Sequence, residues 1–106
     1  MNQATSGSAG SASISGAGSY DDFAQKLKVC GHPIRLKLLR LIADQSDACV
    51  NELWSCMNMP QPVISQHLSV LKERGIVASE VDGNRRIYSI IDPFIKSIVA
   101  SMGSET

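Results

Sequence analysis

Met59-Pro60-Gln61-Pro62 places two prolines one residue apart, between two short amphipathic segments, and this break limits what the chain can fold into more than any other stretch. Pro60 has no amide hydrogen and restricts Met59 to extended backbone, so a helix arriving from the N-terminal side must stop there. Pro62 has its φ preset for a first helical turn, so a new helix opens. Before the break, Val50, Leu53, Trp54 and Met57 recur at i, i+3, i+4 and i+7, which predicts a helix of roughly two to three turns. After it, Ile64, His67, Leu68 and Leu71 share one face of a helix running to Arg74, with Gly75 as its cap. Two short helices joined by three or four residues make a helix-turn-helix.

The second helix turns Val63, Ser65, Gln66, Ser69 and Glu73 away from its apolar face. A face serving solubility alone favours Lys and Glu. Short polar side chains suit base edges: Gln pairs bidentately with adenine, Ser reaches bases or phosphates, and Val meets a thymine methyl. An ordinary solvated face is the other reading of the same residues. The following stretch, "IVASEVDGNRRIYSII", sets β-branched residues on both sides of Asp82-Gly83-Asn84, a hairpin signal. Arg85 and Arg86 put positive charge just after the turn, where a wing meets the DNA backbone or minor groove. The combination predicts a mainly α domain with a small β-hairpin, a winged helix-turn-helix.

Further helices flank this unit. Phe23, Leu27 and Cys30 form a stripe in a helix that starts at Tyr20 and ends at Gly31, with Asp21 and Asp22 in its first turn. Pro33 opens the next helix, whose apolar face is Ile34, Leu38, Leu41 and Ile42, to about Ala43. Asp92 caps a last helix begun by Pro93, with Ile95, Ile98, Val99 and Met102 along one side. The first and last helices carry more apolar face than one small core covers, which predicts a homodimer joined through them. Two reading heads related by a two-fold axis match an inverted repeat in double-stranded DNA, one half-site per subunit.

At 106 residues the chain fits one domain, expected over residues 20–102. Residues 1–19, rich in Gly, Ser and Ala, read as a flexible tail and 103–106 as a short C-terminal one. The absence of a bilayer-length apolar run or a secretory signal predicts a cytoplasmic protein with no membrane partner. The formal net charge is zero, which argues against strong non-specific DNA binding. Residues 23–43 nonetheless hold Lys26, Lys28, Arg35, Lys37 and Arg40 without an acid, either a segment crossing a phosphate backbone or a solvated basic face. No Gly-rich phosphate loop, paired catalytic carboxylates or nucleophile with its base is recognisable, so an enzyme is not expected. A winged helix used for protein contact would carry an apolar outer face on Pro62 to Arg74, against which the Ser and Gln there speak.

Three cysteines without secretory context suggest reduced thiols rather than disulfides. On one helix, Cys49 and Cys56 would stand two turns apart, roughly 10 Å. That exceeds the Cα separation of about 7 Å that a disulfide allows, and the reach of one ion with thiolate bonds of about 2.3 Å. A joint site would need Cys30 or a fraying helix end. Cys49, near a helix N-terminus, is expected to have the lowest thiol pKa. Small buried hydrophobes, a soft-metal or arsenite site, and a redox or persulfide switch all remain open for Cys30, Cys49 and Cys56.

From about Phe23 to Val99 the chain resembles the ArsR/SmtB family of bacterial winged-helix repressors, through "CGHPIRLKLLRLI", "VNELWSCMNMPQPVISQHLSVLKERGIV" and "DGNRRIYSI". The resemblance implies a dimeric repressor that leaves its operator when an inducer binds, often a metal ion or a thiol-reactive species. By position it implies base contacts at Gln61, Val63, Ser65 and Gln66, wing contacts at Arg85 and Arg86, and, for His67 in "SQHL", a structural hydrogen-bonding role ahead of metal ligation. Members that bind zinc or cobalt across the last helices resemble one another in an Asp-x-His pair followed by His and Glu. Here that helix offers Asp92, Lys96 and no histidine, so the site is absent. Members sensing cadmium, lead or trivalent arsenic often carry Cys-Val-Cys, of which Cys49-Val50-Asn51 keeps the first thiol alone.

Overall fold

A computed structural model of the protein describes residues 19–45 and 48–103. The expected tails lie outside these residues except for Ser19 and Gly103. The order of elements is α1 (Tyr20–Cys30), α2 (Pro33–Asp44), β1 (Ala48–Cys49), α3 (Val50–Met57), α4 (Gln61–Glu73), β2 (Val77–Asp82), β3 (Arg85–Ile90) and α5 (Pro93–Ser101).

Local chemistry sets most of these boundaries. Ser19 accepts a hydrogen bond from the Asp22 amide at 3.1 Å and so caps α1. The His32 Nδ1 does the same for the Ile34 amide ahead of Pro33, and an Asp92 oxygen does it for Ile95 at the start of α5. Asn58 takes a left-handed φ of 54° and turns the chain out of α3 into Met59-Pro60. At the end of α4, Gly75 has φ 74°; its amide donates to Lys72 O at 3.0 Å and the Ile76 amide to Leu71 O at 2.9 Å. This paired closure is a Schellman motif, and it fixes the angle at which the chain leaves α4 for β2.

The core is built around α2. Leu38 and Leu39 are fully buried with Leu53 of α3, Ile64, Leu68 and Leu71 of α4, Ile76 and Val77 entering β2, and Ile95 and Val99 of α5. Burying each such side chain stabilises the fold by about 1.5–3 kcal/mol. The expected α1 stripe is corrected at one position: Leu27 is 47% exposed, because α1 docks through Val29 and Cys30 in its last turn. Tyr20 is 89% exposed, and Phe23 lies against Phe94 of α5 with ring centroids 4.6 Å apart. A cleft of about 670 Å³, lined in part by Pro33, Leu36, Leu41 and Met102, opens between α2 and the end of α5.

The hairpin is joined by a third strand that the sequence reading did not include. The sheet order is β1-β3-β2, antiparallel throughout, with Ala48 opposite Tyr88 and Cys49 opposite Ile87. Two residues are too few to show a period of two, and their partner lies far along the chain. Cys49 therefore belongs to a strand and α3 begins at Val50, so helical rise does not set the spacing between Cys49 and Cys56.

An ion pair ties the terminal helices together. Lys26 Nζ lies 2.6 Å from Asp92 Oδ2 and 3.2 Å from Asp22 Oδ2, with Asp92 7% exposed. Burial pushes the Asp92 carboxyl up, but the Lys26 ammonium and the Ile95 amide outweigh it and hold the carboxyl below its ordinary value of 3.8. The resulting stability is complete above that ordinary value and is lost as pH falls through the lower folded value. Asp92→Asn keeps an N-cap and removes the pair. In urea unfolding it should be less stable than the parent at pH 7, and the gap should close as pH falls through the lowered folded value.

Candidate nucleic-acid interface

Helix α4 is seated by its apolar side and leaves the other side open. Ile64, Leu68 and Leu71 are buried against α2 and α3, while Gln61, Pro62, Gln66 and Ser69 are exposed and Val63 and Ser65 half-buried. At 100° per residue, Gln66 and Ser69 lie near the middle of the open face, with Val63 on one flank and Ser65 and Gln61 on the other. The four residues expected to read bases thus share the first turns of one helix. The acid Glu73 stands at its last position, beyond Lys72. Nothing on the open face ahead of it would repel a phosphate.

The wing rises beside this helix. Gly83 has φ 67° at the first position of a two-residue turn, where glycine avoids the strain other residues meet. Arg85 and Arg86 follow, both exposed, and Arg86 Nη1 donates to Ser79 Oγ at 3.3 Å. Ser79 was not singled out by sequence, since its register against the arginine appears only once the strands are paired.

Behind the open face, Arg35 joins three helices. Its Nε donates to His67 Nδ1 at 3.1 Å and its Nη1 to Val29 O at 3.0 Å, linking α2 to α4 and to the end of α1. The His32 ring packs on that of His67 with centroids 4.8 Å apart. His67 Nδ1 acts as an acceptor, so that ring is neutral with its proton on Nε2. Burial first, then the neighbouring His32 and Arg35, push His67 below its ordinary value of 6.5. The neutral form is the one that folding favours, so this stability is present above pH 6.5 and lost as pH falls through the lower folded value. His67→Gln, which accepts from Arg35 without titrating, should flatten the fall in unfolding free energy as pH drops below 6.5.

The basic stretch of residues 23–43 is largely spent inside the molecule. Lys26 pairs with Asp92 and Arg35 holds His67. Arg40 donates through Nη1 to Val99 O and Met102 O at 3.1 and 2.9 Å, and its Nε lies 3.3 Å from Asp44. These three are engaged within the molecule, whereas Lys28 and Lys37 of the same segment are exposed.

The thiols are unequal. Cys30 is buried; burial pushes its thiol up and Asp92 adds to the effect, which disfavours the nucleophilic thiolate. Cys56 is exposed on α3. The Cys49 side chain lies outside the described residues, as does the expectation of its lowered pKa. Among the described residues no three of His, Cys, Asp and Glu converge as a metal-ligand set. No helix among these residues is long and apolar enough to cross a membrane.

This geometry has relatives. Residues 32–79, spanning α2 to the start of β2, match the family described as bacterial regulatory protein, arsR family. The chain is 38% identical over 80 residues to an HTH-type transcriptional regulator of Methanocaldococcus jannaschii, covering 76% of this chain and 90% of that one. It is 34% identical over 79 residues to the HTH-type transcriptional repressor SmtB of Mycobacterium tuberculosis, covering 74% of this chain and 58% of that relative. The crystal structure of the transcriptional repressor PagR of Bacillus anthracis matches with a TM-score of 0.69 at 28% identity, over 76% of this chain and 91% of that chain. On these matches in sequence and structure, the chain belongs to the arsR family of winged helix-turn-helix transcriptional regulators.

Proposed function

We propose that this regulator represses transcription as a cytoplasmic homodimer joined through α1 and α5, binding an inverted-repeat operator with one half-site per subunit. The observation that carries the reading is the open face of α4, polar and free of acids until Glu73. Gln61, Val63, Ser65 and Gln66 enter the major groove, with Gln66 placed for bidentate pairing to adenine. The wing, whose tip carries Arg85 and Arg86, comes to the DNA flanking each half-site. Dimerisation is supported by exposed Tyr20 and Leu27 on α1, by the Phe23–Phe94 contact that makes α1 and α5 adjoin, and by the cleft beside Met102.

Release is assigned to a thiol-reactive inducer, a soft metal or trivalent arsenic, with exposed Cys56 the thiol within its reach and Cys49 close by in sequence. A tilt of the reading heads costing the complex a few kcal/mol suffices for dissociation. Selection from a random duplex library with the full chain, followed by anisotropy at two salt concentrations, tests the repressor. An enriched inverted repeat bound in a salt-sensitive manner supports it, and enrichment of no site, or of a single unrepeated half-site, refutes the dimeric form. Adding arsenite to parent and Cys56→Ser then tests the inducer: release of the parent alone is expected, and equal behaviour overturns that assignment.

A further inference from the structure

We infer that the wing is one-sided: Val81 and Arg86 form its DNA-contacting face, suited to a narrow, A·T-rich minor groove beside each half-site, while Arg85 belongs to the opposite face and contributes little. The inference rests on the operator-binding reading above and adds to it which side of the wing meets DNA, and what sequence that side prefers.

Residues directly opposite in an antiparallel ladder project to the same side, and successive pairs alternate. Val77–Ile90, Ser79–Tyr88 and Val81–Arg86 make one set, and Ala78–Ser89, Glu80–Ile87 and Asp82–Arg85 the other. Val77 and Tyr88 are buried, so the first set is the face that packs on the core, where α4 meets β2. Followed outward past the core, that face ends in Val81 and Arg86 on the side of the reading helix. Arg86 is its charged member. The other face carries Glu80 and Asp82 around Arg85, and a phosphate approaching it meets two carboxylates.

Two further observations favour the Val81 side. Val81 is 66% exposed at the wing tip, an apolar side chain left mostly to solvent. The walls of a minor groove are deoxyribose, an apolar surface that an isopropyl group fits. Arg86 is held by its bond to Ser79 Oγ, which limits the freedom it loses on binding. A narrow A·T-rich minor groove concentrates negative potential and draws in a single guanidinium.

The test uses the full chain and the duplex selected above, remade with either A·T or G·C pairs where the wing falls. Affinities are measured by anisotropy over a range of salt for the parent, Arg86→Gln, Arg85→Gln and Val81→Ser. Arg86→Gln should weaken binding by about tenfold or more, lower the salt slope by about 2 for the dimer, and erase the preference for A·T flanks. Val81→Ser should weaken binding severalfold at an unchanged slope, and Arg85→Gln should stay within about twofold of the parent. Equal losses from the two arginines, or a flank preference that survives Arg86→Gln, would overturn the one-sided wing while leaving the repressor standing. A library that enriches no site overturns the operator-binding reading and the wing inference with it.

Discussion

Leu68→Ala should destabilise the domain by about 2–5 kcal/mol, the cost of emptying a buried leucine site that neighbours cannot close. Leu68 is 1% exposed on the seated side of α4, within the cluster that α2, α3 and α4 build together. A domain of this size has a total stability of about 5–15 kcal/mol, so the loss is a large fraction of it. The melting temperature should fall by roughly 10 °C or more. Urea unfolding followed by circular dichroism measures the change, with protein concentration held fixed because a dimer gains stability by mass action. A loss under about 1 kcal/mol would mean that α4 is not seated on the core as described.

Gln66→Ala, two residues earlier on the opposite side, should do the reverse. Its side chain is exposed, and surface truncations away from special features usually change stability by less than about 0.5 kcal/mol. A bidentate Gln–adenine pair is worth about 1–3 kcal/mol, and a dimer makes it twice, so operator affinity should drop by at least about thirtyfold. The variant should also bind alike whether or not the paired adenine is present. Unchanged affinity on the selected duplex would remove Gln66 from the reading face and leave Ser65 or Gln61 to carry it. Together the two variants separate what α4 does for the fold from what it does for recognition.

Much of this was legible because the signals are local. Pro33, Pro62 and Pro93 mark first helical turns, Gly31 and Gly75 mark ends, and Asp82-Gly83-Asn84 marks the hairpin, all without reference to distant residues. The open face of α4 followed from a 3.6-residue period set against buried Ile64, Leu68 and Leu71. What escaped was long-range. Strand β1 has two residues and a partner some forty positions away, so no window along the chain contains the pair. Lys26, Arg35 and Arg40 read as a basic surface because sequence gives their charge but not Asp92, His67 and the carbonyls of Val99 and Met102 that take it up. Leu27 fits the helical period of a buried stripe, but only the last turn of α1 reaches the core.

The sheet order β1-β3-β2 makes the wing a cantilever. At its root Ile87 and Tyr88 are hydrogen-bonded into a strand with neighbours on both sides, whereas Val81, Asp82, Arg85 and Arg86 have one neighbouring strand and face solvent. Amide exchange should accordingly be slow at the root and fast toward the tip. Stiffness at the root means that docking need order only the outer few residues, at about 1–2 kcal/mol of backbone entropy for each one fixed. A hairpin without β1 would have more of its length to immobilise, so two residues ahead of α3 lower the entropic cost of every encounter with DNA.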